Sequence, residues 1–142
     1  MAGRPRLEGN HVTGTSFKLR PELLDIVKAG KLLLAQHLKR EHPKHWAHSP
    51  NYAQWYRMLI NFAFDHSAIV SLEAQKAAMA AVTQPVEKPI LVSVKIPEEI
   101  RVKLRKIECC VQALDWTVDF NRNATLNFLV LAYADQFNQS LE

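Results

Sequence analysis

The 142-residue chain is poor in the residues on which many catalytic and extracellular scaffolds depend. Of its four glycines, Gly3, Gly9 and Gly14 fall in the opening stretch, which leaves Gly30 alone in the remainder. Neither a glycine-rich phosphate loop nor a nucleophile elbow can be built from that stock. The two cysteines, Cys109 and Cys110, are neighbours in sequence. Adjacent residues are poorly placed for disulfide geometry, so the pair fits a reducing compartment, and packing at or near a helix core is its expected role. No apolar run reaches the roughly 20 residues of a membrane-spanning helix. The opening MAGRPRLEGNHVTG lacks the apolar segment of a secretory signal. With no plausible carboxylate pair, the expectation is a cytoplasmic non-enzyme with no cofactor, no small-molecule substrate and no membrane partner.

Charge is what the chain does have, and it is unevenly spread. Residues 1–50 carry nine Lys/Arg against four Asp/Glu, residues 51–83 carry two against two, and residues 84–142 carry seven against eight. A basic N-terminal part points to a polyanionic partner.

Two phrases then stand out, SFKLRPELL from Ser16 and SVKIPEEI from Ser93. Each runs serine, apolar, lysine, apolar and then into proline and glutamate. The alternation predicts a half-buried strand, and the proline with its acidic neighbour predicts a helix start. After the first phrase, Leu23, Val27, Leu34 and Leu38 fall at helical spacing over Pro21 to Arg40. EHPKHWAHSP should form a loop. A second helix is expected from Ser49, as N-cap, and Pro50 to about His66, with Tyr52, Trp55, Tyr56, Leu59 and Ala63 on its apolar face. AIVSLEAQKAAMAAV continues the helical pattern to Val82 as a connecting helix, and TQPVEKP breaks it into an extended linker.

The second phrase repeats the order. LVSVKI alternates, Pro97 opens a helix with Ile100, Leu104, Ile107, Val111 and Leu114 in a stripe, and a last helix capped by Asn123 carries Leu126, Leu129, Val130, Tyr133 and Phe137. The domain plan is a flexible basic arm (1–14), a first strand-helix-helix repeat (15–66), a connecting helix and linker (67–90) and a second repeat (91–138). The fold class is α+β, mostly helical. A lone short strand leaves its backbone groups unpaired, and each strand's natural partner is its twin. Antiparallel pairing about a pseudo-twofold axis sends Phe17, Leu19, Val92, Val94 and Ile96 inward. Ser16, Lys18, Ser93 and Lys95 then stand on the open face.

These residues resemble the ribbon-helix-helix DNA-binding proteins typified by the Arc and methionine repressors, whose paired strands enter the major groove. LVSVKIPEEI matches the family pattern, and SFKLRPELL matches a variant with one extra residue, Arg20. Two units in one chain look like the tandem members of the family, of which the TraY-like accessory proteins of plasmid conjugation are one example. The loop from Glu41 to Asn51 and the connecting helix depart from the minimal pattern.

The resemblance implies sequence-specific binding of double-stranded DNA and regulation of transcription on a conjugative plasmid or other mobile element, with self-association on DNA left open. Ser16, Lys18, Leu91, Ser93 and Lys95 would read base edges, Lys donating to guanine and Leu91 touching a thymine methyl, on similar but not identical half-sites. Arg20, Ser49, Asn51, Arg122, Asn123 and Thr125 would meet phosphates near helix N-termini. Arg4 and Arg6, in AGRPR, would form a minor-groove arm. A transfer-origin accessory protein and an antitoxin-type protein-binding module stand as alternatives. His37, His42, His45 and His48 crowd together, yet Pro43 and Pro50 spoil a helical presentation and no cysteine or carboxylate pair completes a set, so no metal site is assigned. The aromatic group Trp46, Tyr52, Trp55 and Tyr56 has the spacing of core packing rather than base stacking.

Overall fold

A computed structural model describes residues 12–44 and 51–142 of the chain. Strand β1 (Val12–Leu19) leads through a 3-10 turn at Pro21–Leu23 into α1 (Leu24–Glu41). Helix α2 (Tyr52–Asp65) follows, then a second 3-10 turn at Ser67–Ile69 and α3 (Leu72–Val82). Strand β2 (Ile90–Pro97), α4 (Glu98–Gln112) and α5 (Arg122–Ser140) complete the chain. The protein is mostly helical, with one two-stranded antiparallel sheet formed by β1 and β2.

The sheet register is the central fact. Ser16 lies opposite Ser93, Lys18 opposite Leu91, and Gly14 opposite Lys95. Because strand side chains alternate, Phe17, Leu19, Val94 and Ile96 all turn inward and are buried, while Val92 is half-buried. Full burial of each such aliphatic or aromatic side chain contributes roughly 1.5–3 kcal/mol, which locks the register, since a one-residue slip would turn the whole set to solvent.

Helix α5 is the pillar of the core. The sequence gives it one apolar face, but it is buried nearly all round: besides Leu126, Leu129, Val130, Tyr133 and Phe137, the structure covers Ala124, Thr125, Asn127, Phe128, Ala134 and Asn138. It packs against α1, α2, α3, α4 and β1, which is how all but a stripe of Leu131, Asp135 and Gln139 comes to be covered. Among its buried polar groups Asn138 Oδ1 accepts from the Trp55 indole Nε1 at 3.0 Å. Gly30 in α1 leaves room for the Trp55 indole of α2. A Cβ there would fall inside van der Waals contact with the Trp55 indole.

Three expectations are corrected. The second helix ends at Asp65, close to the expected His66, but the connecting run does not continue it: α3 starts anew at Leu72 with Ser71 as N-cap, its hydroxyl accepting from Ala74 N at 3.1 Å. Tertiary partners stabilise the break. Tyr133 Oη donates to Ser67 O at 2.8 Å and Gln75 Nε2 to Val70 O at 3.0 Å, while α3 folds back on α5 and buries Ala78, Met79 and Val82. Cys109 and Cys110 are exposed, because they stand off the buried stripe of Ile100, Leu104 and Val111 on α4. The linker before β2 is turned rather than extended, with Lys88 in the left-handed region at φ 52°. No described helix is long and apolar enough to cross a membrane.

Candidate functional site

The open face of the sheet carries Gly14, Ser16 and Lys18 from β1 and Leu91, Ser93 and Lys95 from β2, and all six are exposed. All five residues expected to read bases are therefore brought onto one surface. At its centre the Ser16 and Ser93 hydroxyls are 3.0 Å apart and share a hydrogen bond. The lysines lie diagonally on either side, each two residue pairs from the centre. Leu91 is 71% exposed opposite Lys18, so it takes no part in the core.

A helix N-terminus flanks each end of this face. Asn51 caps α2, its Oδ1 accepting from Gln54 N at 2.9 Å, and Asn121 caps α5, accepting from Ala124 N at 2.8 Å. These two caps correct the expected ones. Ser49 lies outside the described residues, as do His45, Trp46, His48 and the arm residues Arg4 and Arg6. Asn123 caps nothing: its Oδ1 accepts from Lys18 N at 2.6 Å and so ties α5 to the ribbon backbone. Asn121 takes the cap because its backbone is extended (φ −98°, ψ −173°) where Asn123 is already helical.

Counted from the caps, the two helices offer different residues to the ribbon. Six positions after Asn51, Arg57 Nη1 donates to Lys95 O at 3.3 Å. Six positions after Asn121, Asn127 Nδ2 donates to Lys18 O at 2.9 Å while its Oδ1 accepts from Arg20 N at 2.8 Å. The backbone of each outward lysine is thus held by the corresponding turn of a helix. Nothing in the local pattern singled out Arg57, whereas Asn127 sits as a carboxamide inside the apolar run LNFLV, a signal that a buried polar contact was to be found.

Three expected phosphate contacts are placed otherwise. Arg20 is committed internally, with Nε donating to Glu22 at 2.7 Å and Nη1 to Gln84 O at 2.7 Å, and only 12% of its side chain is exposed. Its guanidinium holds the Glu22 carboxyl below the usual carboxylate range. Thr125 is fully buried, its hydroxyl donating to Asn121 O at 2.7 Å, so it cannot reach a ligand. Arg122 donates to Glu108 at 3.2 Å, which offsets its charge. The sequence could not anticipate these commitments, because all but the local Arg20–Glu22 and Thr125–Asn121 bonds join different elements.

Beside the ribbon ends lie two clefts. One, of about 350 Å³, is lined by Asn51, Tyr52, Ala53, Arg57, Ser93 and Lys95. The other, of about 450 Å³, lies between Lys18, Arg20, the linker at Thr83–Val86 and the start of α5, and includes the Asp119 carboxylate. Among the described residues no group of three or more His, Cys, Asp or Glu is arranged to hold a metal. The aromatic residues Trp55 and Tyr56 are wholly buried in the core, as their spacing predicts.

No protein-family model, curated protein or solved structure matches the chain.

Proposed function

We propose that the chain is a tandem ribbon-helix-helix protein that binds double-stranded DNA sequence-specifically and regulates transcription. The reading rests on one observation: the repeated phrase pairs with its own copy, Ser16 opposite Ser93, so that both lysines face out and the apolar residues face in. A two-stranded ribbon fits the B-DNA major groove, about 12 Å wide, and the outward hydroxyls and ammonium groups are suited to the donor and acceptor pattern on base edges. Anchoring of the ribbon backbone by Asn123, Asn127 and Arg57 supports the same reading, because a reader of bases needs its side chains launched from a rigid backbone.

Lys18→Ala and Lys95→Ala test it. Each is expected to weaken binding to a selected duplex by roughly 1–3 kcal/mol and to leave non-specific affinity much less affected, measured by gel shift at matched salt. Thermal stability should move by no more than about 0.5 kcal/mol, since both side chains are exposed. Unchanged affinity in both variants would remove the ribbon as the reader.

A further inference from the structure

The two ends of the ribbon are chemically unequal, and the register says how. A twofold axis through the Ser16–Ser93 pair would relate Lys18 to Lys95 and Gly14 to Leu91. The lysines obey that symmetry and the other pair breaks it. At one end an ammonium stands opposite a leucine that is 71% exposed; at the other the ammonium stands opposite a residue with no side chain. The surroundings differ in the same sense. Among the described residues the cleft beside Lys95 adds the Arg57 guanidinium and no carboxylate, while the cleft beside Lys18 adds the Asp119 carboxylate and an arginine already tied to Glu22.

Resting on the DNA-binding reading above, we infer that the ribbon recognises a non-palindromic duplex in a single orientation, with Leu91 and Gly14 as the residues that set that orientation. The end bearing Lys18 and Leu91 takes a guanine beside a thymine, the ammonium donating to guanine O6 or N7 and the leucine covering the thymine C5-methyl. The end bearing Lys95 and Gly14 takes a guanine without any requirement for a methyl at the neighbouring pair. The absent side chain and the nearby Arg57 also let the sugar-phosphate backbone approach closer there.

The geometry makes the assignment easy to challenge. A Cβ at Gly14 would meet nothing within 4 Å, and its backbone is not in the left-handed region, so a larger residue is accommodated. Leu91 is exposed, so shortening it leaves no core cavity.

The experiment starts from selection of the full-length chain against a randomised duplex library at fixed salt. The expected consensus has guanine at both ends and an adjoining thymine at one end only. Replacing that thymine with uracil, which deletes the methyl alone, should weaken wild type about fourfold, the factor carried by one buried methyl group. Leu91→Ala should lose most of that discrimination. Gly14→Leu should gain about fourfold for a symmetrised duplex in which the thymine-bearing half is copied onto both ends.

A palindromic consensus, or wild type indifferent to the thymine-to-uracil change, would overturn the inference while leaving the DNA-binding reading standing. A library that shows no enrichment would remove both.

Discussion

The two ends of the ribbon are seated by different chemistry, although the strands that form them are near copies. Beneath β2 and the middle of β1, α2 contributes aromatic mass: Trp55 and Tyr56 are wholly buried, and the Phe17 ring meets Tyr56 edge-on with centroids 5.3 Å apart. The corresponding positions of α5, four and five after its cap, are Thr125 and Leu126, and the work of holding the strand passes to Asn123 and Asn127. One seat is made of close packing, which is sensitive to volume. The other is made of hydrogen bonds to the strand backbone, which are sensitive to the loss of either partner. Two near-copied strands can therefore rest on unsymmetric supports, α5 holding Lys18 N and O and α2 holding Lys95 O.

The largest effect should come from overfilling the packed seat. Gly30→Ala puts a methyl group into the Trp55 indole, and with both residues buried the expected loss is about 3 kcal/mol in chemical denaturation. A smaller loss would mean that α1 and α2 can separate, and that the aromatic seat is looser than its burial implies.

Next comes the hydrogen-bonded seat. Asn127→Ala strands Arg20 N and Lys18 O and should cost roughly 1–3 kcal/mol. Its counterpart Arg57→Ala removes one longer bond that water can replace, and should cost less than about 1 kcal/mol. Equal losses for the two variants would erase the contrast between the ends.

The smallest effect at neutral pH, and the clearest pH signature, belongs to Tyr56. Its hydroxyl is buried without a hydrogen-bond partner among the described residues, and desolvation pushes its pKa far above the usual tyrosine range. Tyr56→Phe should therefore be near neutral or slightly stabilising at pH 7. The native state holds this proton more tightly than the unfolded chain does. Stability is thus intact below the ordinary tyrosine pKa of about 10 and falls as pH rises beyond it. The variant should lose less stability than wild type between about pH 10 and 11 in thermal melts, with the rest of the alkaline loss including the buried Tyr133, whose pKa is also raised by burial. Identical alkaline profiles would place the Tyr56 hydroxyl in contact with water.

Local pattern carried a good deal of this molecule. The alternation in the two phrases and the helical spacing of Leu23, Val27, Leu34 and Leu38 each depend on a handful of neighbours, and all of those residues lie where the period puts them. The need of each strand for a partner is also local, because unpaired backbone groups are costly wherever they occur. Pairing of β1 with β2 follows from that need and from the absence of any other strand in the pattern.

What the sequence could not settle involved competition between equivalent candidates or partners far away along the chain. Asn121 and Asn123 are both able to cap, and the choice between them fell to the contact of Asn123 with Lys18, 105 residues distant. Arg20 reads as a free cation until Val82 and Gln84 are brought against it, and the helix after Asp65 reads as continuous until Tyr133 and Gln75 capture the carbonyls at the break. By itself the sequence determined the two strands, most of the helices and the side of the ribbon that faces outward, because side-chain period is a property of a few consecutive residues. Only the tertiary structure decided which lysine stands opposite leucine and which opposite glycine, since that depends on a register set by burying four apolar side chains from strands some 77 residues apart.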